Sequence, residues 1–258
     1  MKSNSEAKEN SLAQDRQALT RKVAAQADLA GLTLDLAKCG KIADFVAFLF
    51  DYNNRLNLVG TKDIEQIIEK HVLDAFTVAA AFEKLAGGKR YLDLGCGGGL
   101  PGMLIALVNP ALEVTLVDAI GKKCRFLEEA ADKFRGQEGP PLKIICGRAE
   151  ELFRQSDLRE HFDLGTARAV GTLKLTMELV APALKEGGLY LAQKTLAREG
   201  EERQDAAPLQ EKLALKLVER QTFEALPSIK ENVLLAYRKE KPTSPQYPRE
   251  WKKIKGER

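Results

Sequence analysis

The chain has 258 residues, with 40 Lys+Arg against 37 Asp+Glu, only two His and a formal net charge of +3. That length fits one large domain, or one domain with a smaller appendage, and a composition of 44% hydrophobic and 30% charged residues describes a globular chain rather than a disordered one. No run approaches ~18 consecutive apolar residues, which excludes a helical membrane span, and a charge of +3 is too small by itself to announce a nucleic-acid partner.

The opening stretch, MKSNSEAKENSLAQDRQ, carries acids and no apolar region, so it reads as neither a secretory signal nor a transit peptide. Residues 1–40 are polar and Ala-rich, and are expected to be variable, weakly helical and frayed at the start. Ile42, Phe45, Val46, Leu49 and Phe50 recur at helical spacing. So do Ile64, Ile67, Ile68, His71, Val72 and Ala75, with Asp63 as N-cap and Gln66 three residues on. These amphipathic segments, joined by an Asn-rich linker over 53–61, form a helical cap (41–86) that needs a surface to lie on. The four cysteines, Cys39, Cys96, Cys124 and Cys146, contain no Cys-x-x-Cys pair, and two histidines leave little room for a metal site. They read as reduced, core-filling thiols of a cytoplasmic protein.

From residue 87 the pattern becomes alternating strands and helices. Strands are expected over 91–95, 113–118, 142–146, 162–168, 189–194 and 232–237, and helices over 102–108, 121–134, 173–184 and 196–215. This alternation predicts an α/β fold with a doubly wound, mostly parallel sheet over 87–240, its ligand beyond the carboxyl ends of the strands. A Pro-punctuated basic tail follows, over 241–258.

The first of these strands runs into Asp93-Leu-Gly-Cys-Gly-Gly-Gly-Leu-Pro-Gly102, a turn whose glycines permit a sharp bend and close approach of backbone N–H groups to a ligand. Gly95, Gly97 and Gly102 do not fit Gly-x-Gly-x-x-Gly spacing, and a turn built for packing alone is the plain alternative. Asp93 is an acid inside an apolar strand and needs a partner. Asp118 ends the next strand, where it can accept both ribose hydroxyls of a nucleoside or, alternatively, cap a helix. Carboxylates here would repel a pyrophosphate but suit a sulfonium with an amino-acid tail, which favours S-adenosylmethionine over a nicotinamide dinucleotide. In Gly147-Arg-Ala-Glu-Glu151, just past the third strand, an acid can lie near an adenine amino group with Ala149 leaving room beside the ring, a solvated Glu pair being the plain alternative.

Five blocks in order, DLGCGGGLPG, VDAIGKKCRFLEEA, GRAEEL, FDLGTARAVGTL and the upstream NLVGTKDIEQIIEKHVLDAF, resemble the bacterial small-subunit ribosomal RNA guanine-N7 methyltransferases, the glucose-inhibited division protein B family. The resemblance extends to KEGGLYLAQK and YPRE and covers roughly residues 45–250. It implies a seven-stranded Rossmann-like class I methyltransferase sheet behind the helical cap, and methylation of one guanine of 16S rRNA from S-adenosylmethionine by a monomer. Carried over by motif, it assigns Gly95, Leu100, Asp118, Ala119, Ile120, Ala149, Glu150 and Arg168 to the cofactor, beside Asp93 and Gly97 from the turn. His71, Asp74 and Arg168 fall around the acceptor. Cys96, Gly98 and Gly171-Thr172 depart from the family pattern, and the tail lacks its usual Gly-x-Pro run.

Guanine N7 holds a lone pair and no proton, so methyl transfer to it needs positioning and water exclusion rather than a general base. Neither the Asn-Pro-Pro-aromatic motif of amino-group methylation nor the Pro-Cys pair of carbon-5 chemistry is present. Arg168 is expected on phosphate or the O6 edge, an ion-paired arginine being the alternative. His71 is either a satisfied core histidine or a pocket residue. Lys122, Lys123 and Arg125 crowd a helix start against its dipole, an arrangement an RNA phosphate would relieve, a solvated first turn being the alternative. The tail, with eight Lys/Arg and three Glu over 238–258, carries +5 and leaves −2 for the rest; Arg249, Lys252 and Lys253 are its expected RNA contacts. A nicotinamide-dependent oxidoreductase and a non-catalytic RNA-binding module are the competing readings.

Overall fold

The structure is a computed structural model; it describes residues 2–85, 88–135, 139–140, 142–154 and 157–256, with side chains described from 14 to 254. Two long helices come first, α1 (Lys2–Leu29) and α2 (Leu36–Leu56). A continuous helical run follows: α3 (Ile64–Gln66), a π-helical turn (Ile67–Val72) and α4 (Leu73–Leu85). Then come β1 (Arg90–Leu94), α5 (Gly102–Val108), β2 (Glu113–Asp118), α6 (Gly121–Ala130) with a π-helical end to Arg135, and β3 (Lys143–Cys146). The remainder is α7 (Ala149–Leu152), β4 (Phe162–Ala167), α8 (Leu173–Val180), β5 (Leu184–Thr195), α9 (Leu196–Lys212), β6 (Leu215–Thr222), β7 (Asn232–Lys239) and α10 (Trp251–Gly256).

The strands form one seven-stranded sheet in the order β3-β2-β1-β4-β5-β7-β6, with β7 antiparallel to both neighbours and the rest parallel. The chain reverses direction across the sheet between β1 and β4, which opens a crevice at their carboxyl ends. Alternation along the strands divides the core. Tyr91, Val114, Leu116, Leu164, Leu189 and Leu191 face the layer holding α1, α2, α4, α5 and α6. Leu92, Leu94, Val117, Phe162, Tyr190 and Ala192 face the layer holding α8, α9 and the C-terminal segment.

Three expectations are corrected. The N-terminal segment is a helix from Lys2, and its second half is packed: Val23, Ala27 and Leu32 are buried in the same cluster as the sheet face, so the cap is continuous with the main core rather than beginning at residue 41. Any fraying of side chains 1–13 lies outside the described residues. β6 was not among the expected strands, because its alternation is interrupted by a register shift between Leu217 and Glu219. Finally, the segment Lys185–Gly188, expected to end a helix, is strand: β5 begins at Leu184, opposite Phe162, and the turn of α8 closes earlier, in a short 3-10 helix over Ala181–Ala183.

Candidate active site

The turn after β1 is built by its own carboxylates. Gly95 has φ +69°, and a Cβ there would run into Val170 Cγ2, so a side chain is excluded on both counts. At Gly102 a Cβ would collide with Leu116 Cδ2 and sit 2.7 Å from Asp93 Oδ2. That close approach lets the Gly102 amide donate to Asp93 Oδ2 at 2.8 Å. Thr166 Oγ1 donates to Asp93 Oδ1 at 2.9 Å, and the Tyr91 hydroxyl lies 2.6 Å from Thr166 Oγ1. Burial, with only 1% of Asp93 exposed, pushes its carboxyl up to about 7 against the pull of those donors. Both oxygens of Asp93 are thus engaged by the fold, which supplies the partner that an acid in an apolar strand needs, and Asp93 braces the turn from beneath.

Asp118 ties two loops together. Its Oδ2 accepts from Gly97 N at 3.0 Å and its Oδ1 from Ile120 N at 2.9 Å. It does not cap α6, whose N-cap is Ile120 with no side-chain bond, so the capping alternative falls. Cys146 is its register partner on β3, and the Gly147 amide donates to the Asp118 carbonyl at 3.0 Å. That pairing brings Ala149 and Glu150, both buried at the start of α7, to the same end of the sheet. Leu100 is buried in the turn, while Ala119 and Ile120 are exposed beside Asp118, Ile120 by 44%. The three carboxylates Asp93, Asp118 and Glu150, with the close-approach turn, fit a nucleoside joined to a cationic sulfonium and an amino group.

Across the crevice the polarity reverses. Asp74, buried on the first turn of α4, collects three donors. Arg168 Nη1 and Gln193 Nε2 donate to its Oδ2 at 2.9 and 2.6 Å, and Asn232 Nδ2 donates to its Oδ1 at 2.9 Å. The π-helical turn places His71 over the same spot, with Nδ1 at 3.1 Å from Arg168 Nη2. A guanidinium only donates, so Nδ1 accepts and the imidazole proton is on Nε2. Burial first, then the charges of Arg168 and Lys70, lower His71 to about 4. Ala169, next to Arg168, has φ +57°, a strained value for a residue with a Cβ. Beside them, Lys194 donates to the Gly171 carbonyl at 2.7 Å and pairs with Glu202 at 2.9 Å. These groups line a cavity of about 560 Å³ that runs to Leu58 and Val59 of the cap.

The structure therefore brings His71, Asp74 and Arg168 together as the sequence motifs predict, and adds Gln193, Asn232, Lys194 and Glu202. Gln193 and Lys194 had a signal that went unused, since they are polar residues ending an apolar strand, as Asp93 is. Asn232 had none in one dimension; it arrives because it pairs with Thr195 across β5 and β7.

The basic residues divide. Lys122, Arg125, Lys252 and Lys253 are exposed, and Lys123 leans over the glycine turn, its Nζ 3.7 Å from where a Gly97 Cβ would stand. Arg249 corrects the expectation of an RNA contact: its Nε and Nη2 donate to Glu178 at 2.8 and 2.7 Å, and Glu178 is 1% exposed. A buried carboxylate needs that cation, and the tail supplies it. Arg159 donates to the carbonyls of Thr243 and Tyr247, and Arg154 to that of Pro248, so the tail is strapped to the domain.

A crevice at a switch point, with acids on one side and an open cavity lined by paired charges on the other, fits a class I S-adenosylmethionine-dependent methyltransferase. Solved structures share the fold. A branched-chain polyamine synthase from Thermus thermophilus aligns with TM-score 0.52 at 19% identity over 67% of this chain and 57% of that one. The [4+2]-cyclase SpnF aligns with TM-score 0.51 at 15% identity over 67% and 83%. The family model described as GidB, rRNA small subunit methyltransferase G, matches residues 38–226, and the chain belongs to that family. A ribosomal RNA small subunit methyltransferase G of Symbiobacterium thermophilum is 36% identical over 77% of this chain and 81% of its own length. That of Moorella thermoacetica is 33% identical over 85% and 89%. Membership sets aside the nicotinamide and non-catalytic readings. Among the described residues no helix is long and apolar enough to cross a membrane.

Proposed function

We propose that the protein, acting as a monomer, transfers a methyl group from S-adenosylmethionine to N7 of a specific guanine in 16S rRNA. One observation carries this reading: the carboxylates and the imidazole that line the acceptor cavity are each engaged by a donor of the fold. Asp74 accepts from three donors, His71 gives its one basic nitrogen to Arg168, and Glu202 pairs with Lys194. An acceptor that must lose a proton is therefore poorly served, and N7, which has none, is well served.

When bound, the cofactor supplies the electrophilic methyl. The chain's own residues do the rest. Asp118 and Glu150 hold the nucleoside, and the charges of Asp93 and Asp118 favour the cation. Ile120 offers an apolar face to the adenine, and Leu58 and Val59 exclude water from the crevice. Arg168, clamped by Asp74 and His71, keeps N–H groups for O6 or a phosphate of the acceptor. Lys122, Arg125, Lys252 and Lys253 meet phosphates further out.

The test is to methylate unmodified small subunits and map the product by reduction and aniline scission, which cleaves at 7-methylguanine. One discrete cleavage is expected. Methyl incorporation without cleavage, or at an exocyclic amine, overturns the assignment.

A further inference from the structure

The strap formed by residues 240–256 is anchored far more heavily than a connector needs. Glu160 accepts from the Thr243 amide at 2.8 Å, Arg159 from one side and Arg154 from the other hold the carbonyls of residues 243–248, and Arg249 grips Glu178. These anchors deliver the chain's single tryptophan, Trp251, to the cofactor end of the sheet. Its ring lies under the Arg148 guanidinium, with Cζ 4.4 Å from the ring centroid. Arg148 in turn donates from Nε to Glu150 Oε1 at 2.9 Å. Glu150 is 5% exposed, while the Arg148 side chain is 43% exposed. An exposed guanidinium left alone would sample many rotamers, and with it the Glu150 carboxylate would lose its orientation.

We infer that Trp251 is a positioning residue for the cofactor: by stacking on Arg148 it fixes the Glu150 carboxylate in the direction from which it meets the adenine amino group. The tail is thereby a part of the cofactor site as well as a carrier of basic residues. The inference rests on Glu150 being a cofactor contact, as proposed above. A guanidinium held over an indole by a cation–π contact samples fewer rotamers, which favours the one that aims Nε at Glu150. The consequence is a split between binding and chemistry. Loss of the stack loosens the adenine without touching the methyl or its acceptor.

Because Trp251 is the only indole, its emission reports the contact directly. Titration of the intact protein with S-adenosylhomocysteine is expected to give a saturable change in tryptophan fluorescence, abolished in Glu150→Gln. Trp251→Ala is expected to raise KM for S-adenosylmethionine about fivefold, the scale of one exposed cation–π contact, with kcat at saturating cofactor unchanged. Trp251→Phe is expected to recover most of that loss. Should Trp251→Ala fail to fold, Arg148→Met, which keeps an apolar stem on the indole and removes only the guanidinium, is expected to show the same KM increase. A wild-type KM in Trp251→Ala or in Arg148→Met, with Glu150→Gln weakened, overturns the inference and leaves the parent reading intact. Wild-type affinity in both Glu150→Gln and Asp118→Ala overturns the parent reading itself.

Discussion

The two sides of the crevice solve the same problem with opposite charges. On the β1–β2–β3 side, the two carboxylates that frame the glycine turn are held chiefly by backbone amides: Gly102, with the Thr166 hydroxyl, on Asp93, and Gly97 and Ile120 on Asp118. On the β4–β5 side, cations are held by buried carboxylates: Arg168 by Asp74 and Lys194 by Glu202. Amides cost no side-chain entropy and cannot lose their proton, so the acidic side depends on the path of the chain. The basic side depends on side-chain pairs, and it is there that one substitution does the most harm.

Arg168→Ala is expected to break that side outright, leaving Asp74 buried without its cation. The loss of folding stability is about 3–5 kcal/mol, the cost of an unpaired buried charge, read by urea denaturation. A double variant that also carries Asp74→Asn is expected to recover part of it, and strictly additive losses would show that the pair is not coupled.

The pH dependence separates the sides next. His71, lowered to about 4 from 6.5, leaves the unfolded chain binding more protons between those values, so the fold is destabilised as pH falls from about 6.5 to about 4, by on the order of 3 kcal/mol. Asp93, raised to about 7, does the reverse, binding more protons when folded and destabilising the fold as pH rises from about 4 to about 7. The two slopes offset in the wild type. Asp93→Asn is expected to expose a stability that climbs with pH, and His71→Asn one that declines. If neither variant alters the slope of unfolding free energy against pH, the two groups are not perturbed as described.

Asp118→Ala sharpens the acidic side, with an expected loss of about 1–3 kcal/mol in S-adenosylmethionine affinity by titration calorimetry, the range for leaving polar partners unpaired. The smallest effect concerns the rim. Lys122→Ala with Arg125→Ala is expected to reduce the slope of log K for RNA against log salt by about one to two, as released counterions fall. An unaltered slope removes these residues from the interface.

Much of this was legible before any coordinates. The strand-helix alternation, the glycine turn and the acids after each strand follow from local periodicity and charge, and α5 and β2 fall at the expected bounds, Gly102–Val108 and Glu113–Asp118. What could not be read was the partner of each charge. Arg249 looks like a free cation in a basic tail until Glu178, 71 positions earlier, is found beneath it. Asp93 needs a partner that the sequence does not name, and the fold supplies Thr166 and Gly102. Composition reports how many charges a segment carries, while only the fold reports which are already answered.

Asn53 bears on both halves of the crevice at once. Its amide donates to the Thr61 carbonyl at 2.7 Å and its carbonyl accepts from Leu58 N and Val59 N at 2.7 and 2.8 Å, folding the linker into a fixed corner. That corner sets Leu58 against Gly98, where a Cβ would stand 3.3 Å from Leu58 Cβ, and the same residue lines the acceptor cavity. One wall thus serves two ligands. On the reading proposed above, a displacement of it by the nucleoside would alter the affinity for RNA, and by thermodynamic reciprocity RNA would alter the affinity for the nucleoside by the same factor.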